Sequence, residues 1–276
     1  MKYEIEKLPE IARRIRYNTL YMITKAGSGH PGGSLSAVDI MVALYFNIMR
    51  YRVDDPFWED RDRFILSKGH ACPALYAIFY ELGIINREEL DTLRKPGSRL
   101  QGHPDIKKLP WAEFSSGSLG QGLSFAVGVA LAGKIDKKDY YTFVLIGDGE
   151  SQEGQVWEAA MSARKFRLDH LIGITDRNGL QIDGDTESVM PLDPLADKWR
   201  AFGWNVIEID GHNFSQIISA VEKAKENEGT PTMIIAHTTK GKGVSFMENV
   251  VDFHGKAPSL KEWESAMVEL GGDSDE

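Results

Sequence analysis

The sequence predicts an α/β fold, a mostly parallel sheet covered by helices on both faces. Short, continuous apolar runs rich in β-branched residues recur at Thr142–Ile146, Leu171–Thr175, Trp204–Ile209 and Met233–Ala236. Runs of that length without polar alternation suit strands buried on both faces. Segments of helical periodicity alternate with them, as a parallel sheet requires. Two of the runs also end in glycine-bearing turns, Gly147-Asp148-Gly149 and Asp176-Arg177-Asn178-Gly179. Asp148 and Asn178, thirty positions apart, therefore fall at equivalent strand ends, the edge where ligands bind in open α/β sheets.

Along the chain, residues 3–25 carry Leu8, Ile11, Ile15 and Met22 at helical spacing, and Ser36 to Met49 forms a second helical pattern with Ile40, Leu44 and Phe46. Between the first two strands' turns, Gly154 to Phe166 reads as a helix with Val156, Ala159, Ala160 and Ala163 on one face. Asp193 to Phe202 and Phe214 to Lys225 continue the alternation. The acidic tail, 262–276, ends in Gly-Gly-Asp-Ser-Asp-Glu and is expected to fray at its end.

A chain of 276 residues can bury roughly three quarters of its unfolded surface, enough for one large domain spanning 1–276. No linker composition, repeat or low-complexity segment divides it. A net charge of −9 and pI near 5.4 argue against a nucleic-acid surface, which needs clustered Lys and Arg. The single cysteine, Cys72, excludes an internal disulfide, and no signal peptide or membrane-length apolar stretch is evident, so a cytoplasmic location is expected.

The strand-end pair carries the chemistry. Magnesium takes oxygen ligands in near-octahedral geometry and is usually held by one or two protein groups together with waters and phosphate oxygens. A carboxylate at Asp148 and an amide oxygen at Asn178 suit that division, and Gly149 lets backbone approach a phosphate closely. Each turn alone is equally an ordinary Asp-Gly or Asn-Gly turn. The pair, followed by Leu180-Gln181-Ile182-Asp183-Gly184, resembles the thiamine diphosphate motif, a Gly-Asp-Gly followed about thirty residues later by Asn. That resemblance implies a diphosphate site at Gly147, Asp148 and Gly149, with Asp148, Asn178 and the Leu180 carbonyl holding Mg2+, for which Ca2+ or Mn2+ could substitute.

Four further segments combine glycine with histidine or serine: Gly27-Ser28-Gly29-His30-Pro31-Gly32-Gly33-Ser34, Ser67-Lys68-Gly69-His70, Gly102-His103-Pro104 and Gly117-Ser118-Leu119-Gly120-Gln121-Gly122. The first matches G-x-G-x-x-G literally, but a dinucleotide fingerprint must follow a strand, and this one follows a helix. A histidine zinc cluster lacks the close spacing of a local metal element. Each histidine alone could serve a turn or helix start. With His254 in Phe253-His254-Gly255, the segments together resemble the transketolase family from the first helix to about Pro258.

The resemblance implies roles position by position. His30, His103 and His254 match histidines that line the substrate channel and move protons; histidine suits that work because its pKa lies near neutrality. His70 matches a residue beside the diphosphate, and backbone groups at Gly117 and Leu119 match those meeting the aminopyrimidine. Glu153 and Glu158 match acidic residues linking paired sites across an interface. His170, His212 and His237 match no role and read as structural. Lys240-Gly241-Lys242-Gly243 reads either as a solvated basic turn or, as in the family, as a border of the cofactor and substrate entrance.

Transketolases carry three domains, and the glutamate that activates the aminopyrimidine belongs to the second, for which no candidate occurs here. The chain is accordingly expected to be the N-terminal subunit of a split transketolase, completed by a C-terminal partner subunit with the pyrimidine-binding domain, two copies of each. The expected reaction moves a two-carbon ketol unit between sugar phosphates, xylulose 5-phosphate being the family's usual donor, as in the pentose phosphate pathway. A split relative acting on another ketose shares this half. Deoxyxylulose-phosphate synthase and 2-oxoacid dehydrogenase subunits match the Gly-His-Pro segments less well, and a non-catalytic thiamine diphosphate module is the reading from another class.

Overall fold

The computed structural model describes residues 2–271. Strands β1 (Arg63–Leu66), β2 (Thr142–Gly147), β3 (Leu171–Arg177), β6 (Asn205–Asp210) and β7 (Thr232–His237) form a parallel sheet in the order β1-β2-β3-β7-β6, while β4 (Leu180–Gln181) and β5 (Gly184–Asp185) make a small antiparallel hairpin beside it. Registers such as Gly147 opposite Asp176 align the carboxyl ends of β2 and β3. The four expected strands are present with boundaries moved by one or two residues. β1 is a strand that the sequence pattern does not disclose: four residues flanked by Arg61 and Asp62 leave no periodic signal, yet Phe64, Ile65 and Leu66 are buried.

The helices are α1 (Leu8–Ala26), α2 (Pro31–Ser36), α3 (Val38–Ala43), α4 (Cys72–Glu81), α5 (Arg87–Leu90), α6 (Gln121–Ile135), α7 (Gly154–Lys165), α8 (Thr186–Val189), α9 (Leu195–Ala201), α10 (Phe214–Glu226) and α11 (Leu260–Glu269). One sheet face is covered by α1, α3, α4 and α10 through a core including Ile15, Ile40, Leu75, Phe79 and Ile217. The other is covered by α6, α7 and α9 through Leu123, Val156, Ala160 and Trp199. The face expected for α7, Val156, Ala159, Ala160 and Ala163, is the buried one.

One expectation is corrected. Ser36–Met49 is not one helix: α2 and α3 meet at Ala37 and a π-helical turn follows at Leu44–Ile48. At the break, the Ser36 hydroxyl donates to the buried Asp176 carboxylate at 2.6 Å, tying α2 to the end of β3. The tail is helical through Glu269, because Ser259 and Glu262 form a capping box and Ala266 and Leu270 are buried against Leu20. The fraying expected at the last residues lies outside the described ones. No helix among the described residues is long and apolar enough to cross a membrane.

Because β1 leads into α4 on one face and β2 into α7 on the other, the chain parts at the carboxyl edge. A crevice opens there of the kind that holds ligands in parallel sheets.

Candidate cofactor site

The crevice is a cavity of about 320 Å³ lined by residues from every carboxyl-end loop except that of β6. At its floor, Asp148 is only 2 % exposed. Its Oδ1 accepts from the Gly149 amide at 2.7 Å, and its Oδ2 accepts from the Gly179 amide at 2.6 Å and the Arg177 guanidinium at 3.3 Å. These contacts fold the Asn178 turn onto the Gly-Asp-Gly corner, with Asn178 Oδ1 accepting from the Leu180 amide at 3.2 Å. A Cβ on Gly149 would lie 2.8 Å from the Gln181 Cβ, so the close approach of β4 excludes any side chain there.

Burial and the nearby Asp176 push the Asp148 carboxyl pKa up from the usual range. A cation bound beside it would relieve that penalty. Asp148, Asn178 and Leu180 line the one cavity and offer carboxylate, amide and carbonyl oxygens, the hard donor set a magnesium ion takes. The residues therefore fit the metal and a diphosphate; Asp148, Asn178 and Leu180 would hold the first, and Gly147, Gly149 and His70 border the space for the second.

Four histidines converge above this floor. The His30 ring centroid is 5.3 Å from that of His70, 6.4 Å from His103 and 5.7 Å from His254, and His70 lies 5.3 Å from His254. They come from the start of α2, the turn after β1, the loop before α6 and the turn before α11. Burial, then the charge of Arg94, lowers the His30 pKa to about 4. Burial and Lys240 lower that of His254 to about 3. Burial and Lys68 hold His70 well below its ordinary value, and burial and Arg94 lower His103. All four rings are thus neutral at pH 7, able to accept a proton.

Gly117, Leu119 and Glu153 line the same cavity. Glu158 does not; it is exposed on α7. Of the histidines expected to be structural, His170 stacks on Tyr141 at 4.5 Å, His212 bonds Asp39 at 2.7 Å, and His237 is exposed.

Three charged groups stand at the site where local pattern does not place them, and Lys240 takes the second of its two readings, bordering the cavity. Lys240 is 1 % exposed, not a solvated turn residue: its Nζ lies 2.8 Å from His254 Nδ1 and 3.3 Å from the Leu180 carbonyl. Burial and Lys68 lower its pKa to about 8, leaving it mostly protonated at neutrality. Lys68, also buried, is paired with Asp176, whose carboxylate further accepts from Ser36 and Thr238. Arg94 Nη2 lies 3.5 Å from His30 Nδ1. Buried lysine is rare enough that only the strand-end positions of Lys68 and Lys240, next to glycines, could have marked them.

A family model describing the transketolase thiamine diphosphate binding domain matches residues 8–276. The chain is 51 % identical over 259 residues to a 6-deoxy-6-sulfo-D-fructose transketolase subunit of a Clostridium species, covering 94 % of each chain. It is 45 % identical over 267 residues to an apulose-4-phosphate transketolase subunit of Phocaeicola vulgatus, covering 97 % of this chain and 95 % of that one. Against human transketolase the identity is 42 % over 254 residues, 92 % of this chain but 40 % of the relative. The crystal structure of Campylobacter jejuni transketolase superimposes with a TM-score of 0.94 at 34 % identity, covering 99 % of this chain and 44 % of that one. The chain thus spans nearly all of the two subunits and about two-fifths of the longer transketolases. It belongs to the transketolase family and corresponds to that family's N-terminal, thiamine diphosphate binding domain.

Proposed function

We propose that the chain is the N-terminal subunit of a thiamine diphosphate- and Mg2+-dependent transketolase that moves a two-carbon ketol unit from a ketose to an aldose phosphate. The observation that carries this reading is the convergence of the Asp148, Asn178 and Leu180 oxygens with four histidines in one cavity. When bound, the cofactor supplies the electron sink for cleaving a carbon–carbon bond beside a ketone. The chain's own residues then have two tasks.

Lys240, placed 3.3 Å from the Leu180 carbonyl, offers an ammonium to an entering anion. His70 borders it. His30, His103 and His254 take and return the hydroxyl protons of the sugar, and a neutral ring is the form that accepts one. With a diphosphate held at Gly147, Gly149 and His70, the added negative charge would raise the depressed pKa values of the neighbouring rings toward neutrality, where proton transfer in both directions is efficient. Glu153 and Glu158 would link the site to a second copy across a symmetric interface.

A C-terminal partner subunit carrying the pyrimidine-binding domain, in a complex with two copies of each chain, completes the site. The two relatives named as transketolase subunits support that division. Xylulose 5-phosphate is the family's usual donor. Those relatives' names, a sulfonated fructose and apulose 4-phosphate, favour a second reading in which this chain serves a different ketose. The test is a coupled assay of the chain with its partner, thiamine diphosphate and Mg2+ on all three donors. Turnover of xylulose 5-phosphate supports the first reading and turnover of another donor the second; a cofactor-saturated complex inactive on every ketose overturns both.

A further inference from the structure

Glu150 has no part in the roles above, yet it is 2 % exposed and sits in the wall of the cofactor cavity. The Gly147 amide donates to its Oε2 at 2.9 Å. The Gly120 amide donates to its Oε1 at 2.8 Å, and the Ser67 hydroxyl donates to the same oxygen. These donors belong to three separate segments. Ser67 opens the Ser67–His70 turn after β1, Gly120 closes the Gly117–Gly120 loop before α6, and Gly147 ends β2 ahead of Asp148.

The Ser67 turn and the start of α6 are packed without slack, since a Cβ on Gly122 would collide with the Ser67 side chain. Every partner of Glu150 is an N–H or O–H donor, and an ionised carboxylate is acceptor-only. A neutral amide of the same shape would turn its NH2 toward at least one of these donors. Burial pushes the Glu150 carboxyl pKa up, and the three donors together with Lys68 oppose that.

We propose that Glu150 is a positioning residue that clamps the segments carrying His70, Gly117 with Leu119, and Asp148 into one preformed cofactor cradle. The proposal rests on the thiamine diphosphate reading above. Both Glu150 oxygens are taken by protein donors, so it acts by holding three backbones in one register, and binding does not have to order them.

The test uses Glu150→Gln in the full chain. Amide hydrogen exchange should show protection at Gly120 and Gly147 falling together, although the two amides lie in different segments. In the complex with the partner subunit, calorimetry with thiamine diphosphate and Mg2+ should show affinity weakened by about tenfold or more, the order expected when a buried donor loses its acceptor. Ser67→Ala removes one donor, should weaken affinity by a smaller factor, and should add little in the Glu150→Gln background, because the two act as a unit.

Loss of protection at Gly147 alone, or a lowered thermal midpoint with cofactor affinity within twofold of wild type well below that midpoint, would reduce Glu150 to a structural cap and overturn the proposal. Should Glu150→Gln fail to fold, Ser67→Ala decides by the same two readouts. A wild-type complex that binds no thiamine diphosphate instead overturns the proposed function, and the exchange measurement still decides whether the clamp exists.

Discussion

Lys240 and His254 meet in the wall of the cavity, with Nζ 2.8 Å from Nδ1. An ammonium has only donors, so Nδ1 is the acceptor and the ring proton resides on Nε2. The lysine thereby sets the tautomer of a histidine assigned to proton transfer while reaching the Leu180 carbonyl at 3.3 Å. Burial and, after it, the Lys240 cation lower the His254 pKa to about 3, so replacing the lysine removes the second of these causes. Lys240→Ala should raise that pKa, read by NMR titration of the ring, and weaken thiamine diphosphate binding by about tenfold through loss of a charge-assisted contact. An unmoved His254 titration would contradict the coupling.

Asp148→Ala should abolish metal-dependent cofactor binding in the assembled enzyme, and Asn178→Ala should weaken it less, because a neutral amide attracts a divalent cation less than a carboxylate does. Calorimetry with Mg2+ and again after chelation checks both. Asp148 also accepts from Gly179 and Arg177, so Asp148→Asn, which retains one acceptor oxygen, separates loss of metal from loss of the turn. Unchanged affinity in both Asp148 variants would remove the metal assignment.

His30→Ala, His103→Ala and His254→Ala should each lower turnover by about 10²–10⁴-fold, the usual contribution of a general acid or base, with cofactor affinity largely intact. His70→Ala should act mainly on thiamine diphosphate affinity. Steady-state rates within twofold of wild type for all three channel variants would show that the proton-transfer assignment is wrong.

The histidines also impose a pH dependence on folding. His30 and His254 have folded-state pKa values of about 4 and about 3, below their ordinary 6.5. Between those values the unfolded chain binds protons that the folded chain does not, so stability rises with pH across the window. Their contribution is complete above pH 6.5 and is lost progressively as pH falls toward 4 and then 3. Thermal midpoints of the cofactor-free chain should therefore decline from about pH 7 to about pH 4, and His30→Gln with His254→Gln should flatten that slope. An equally steep slope in the double variant would place the titration elsewhere.

The isolated chain should show no ketol transfer, with activity appearing on addition of the C-terminal partner and saturating at equimolar ratio. Robust thiamine diphosphate-dependent turnover by this chain alone, freed of host enzyme, would refute the split-subunit reading.

Local sequence pattern was enough to set the alternation of elements and the floor of the site. Buried strands such as β2 and β3 are continuous apolar runs, the apolar face of α7 has helical spacing, and Asp148 and Asn178 stand in glycine turns at strand ends. The gathering of His30, His70, His103 and His254 was legible only through family resemblance, since nothing in spacing brings residues 30 and 254 within 5.7 Å. Long-range packing fixed the remainder. Periodicity cannot register a four-residue strand like β1, nor a helix interrupted at Ala37 where Ser36 turns to Asp176. Neither does it separate a buried Lys240 from the more exposed Lys242, or a clamping Glu150 from the exposed Glu153 three positions later. Whether a charged side chain is buried, and which donors surround it, depends on segments far apart in sequence that meet only when the sheet closes over its helices.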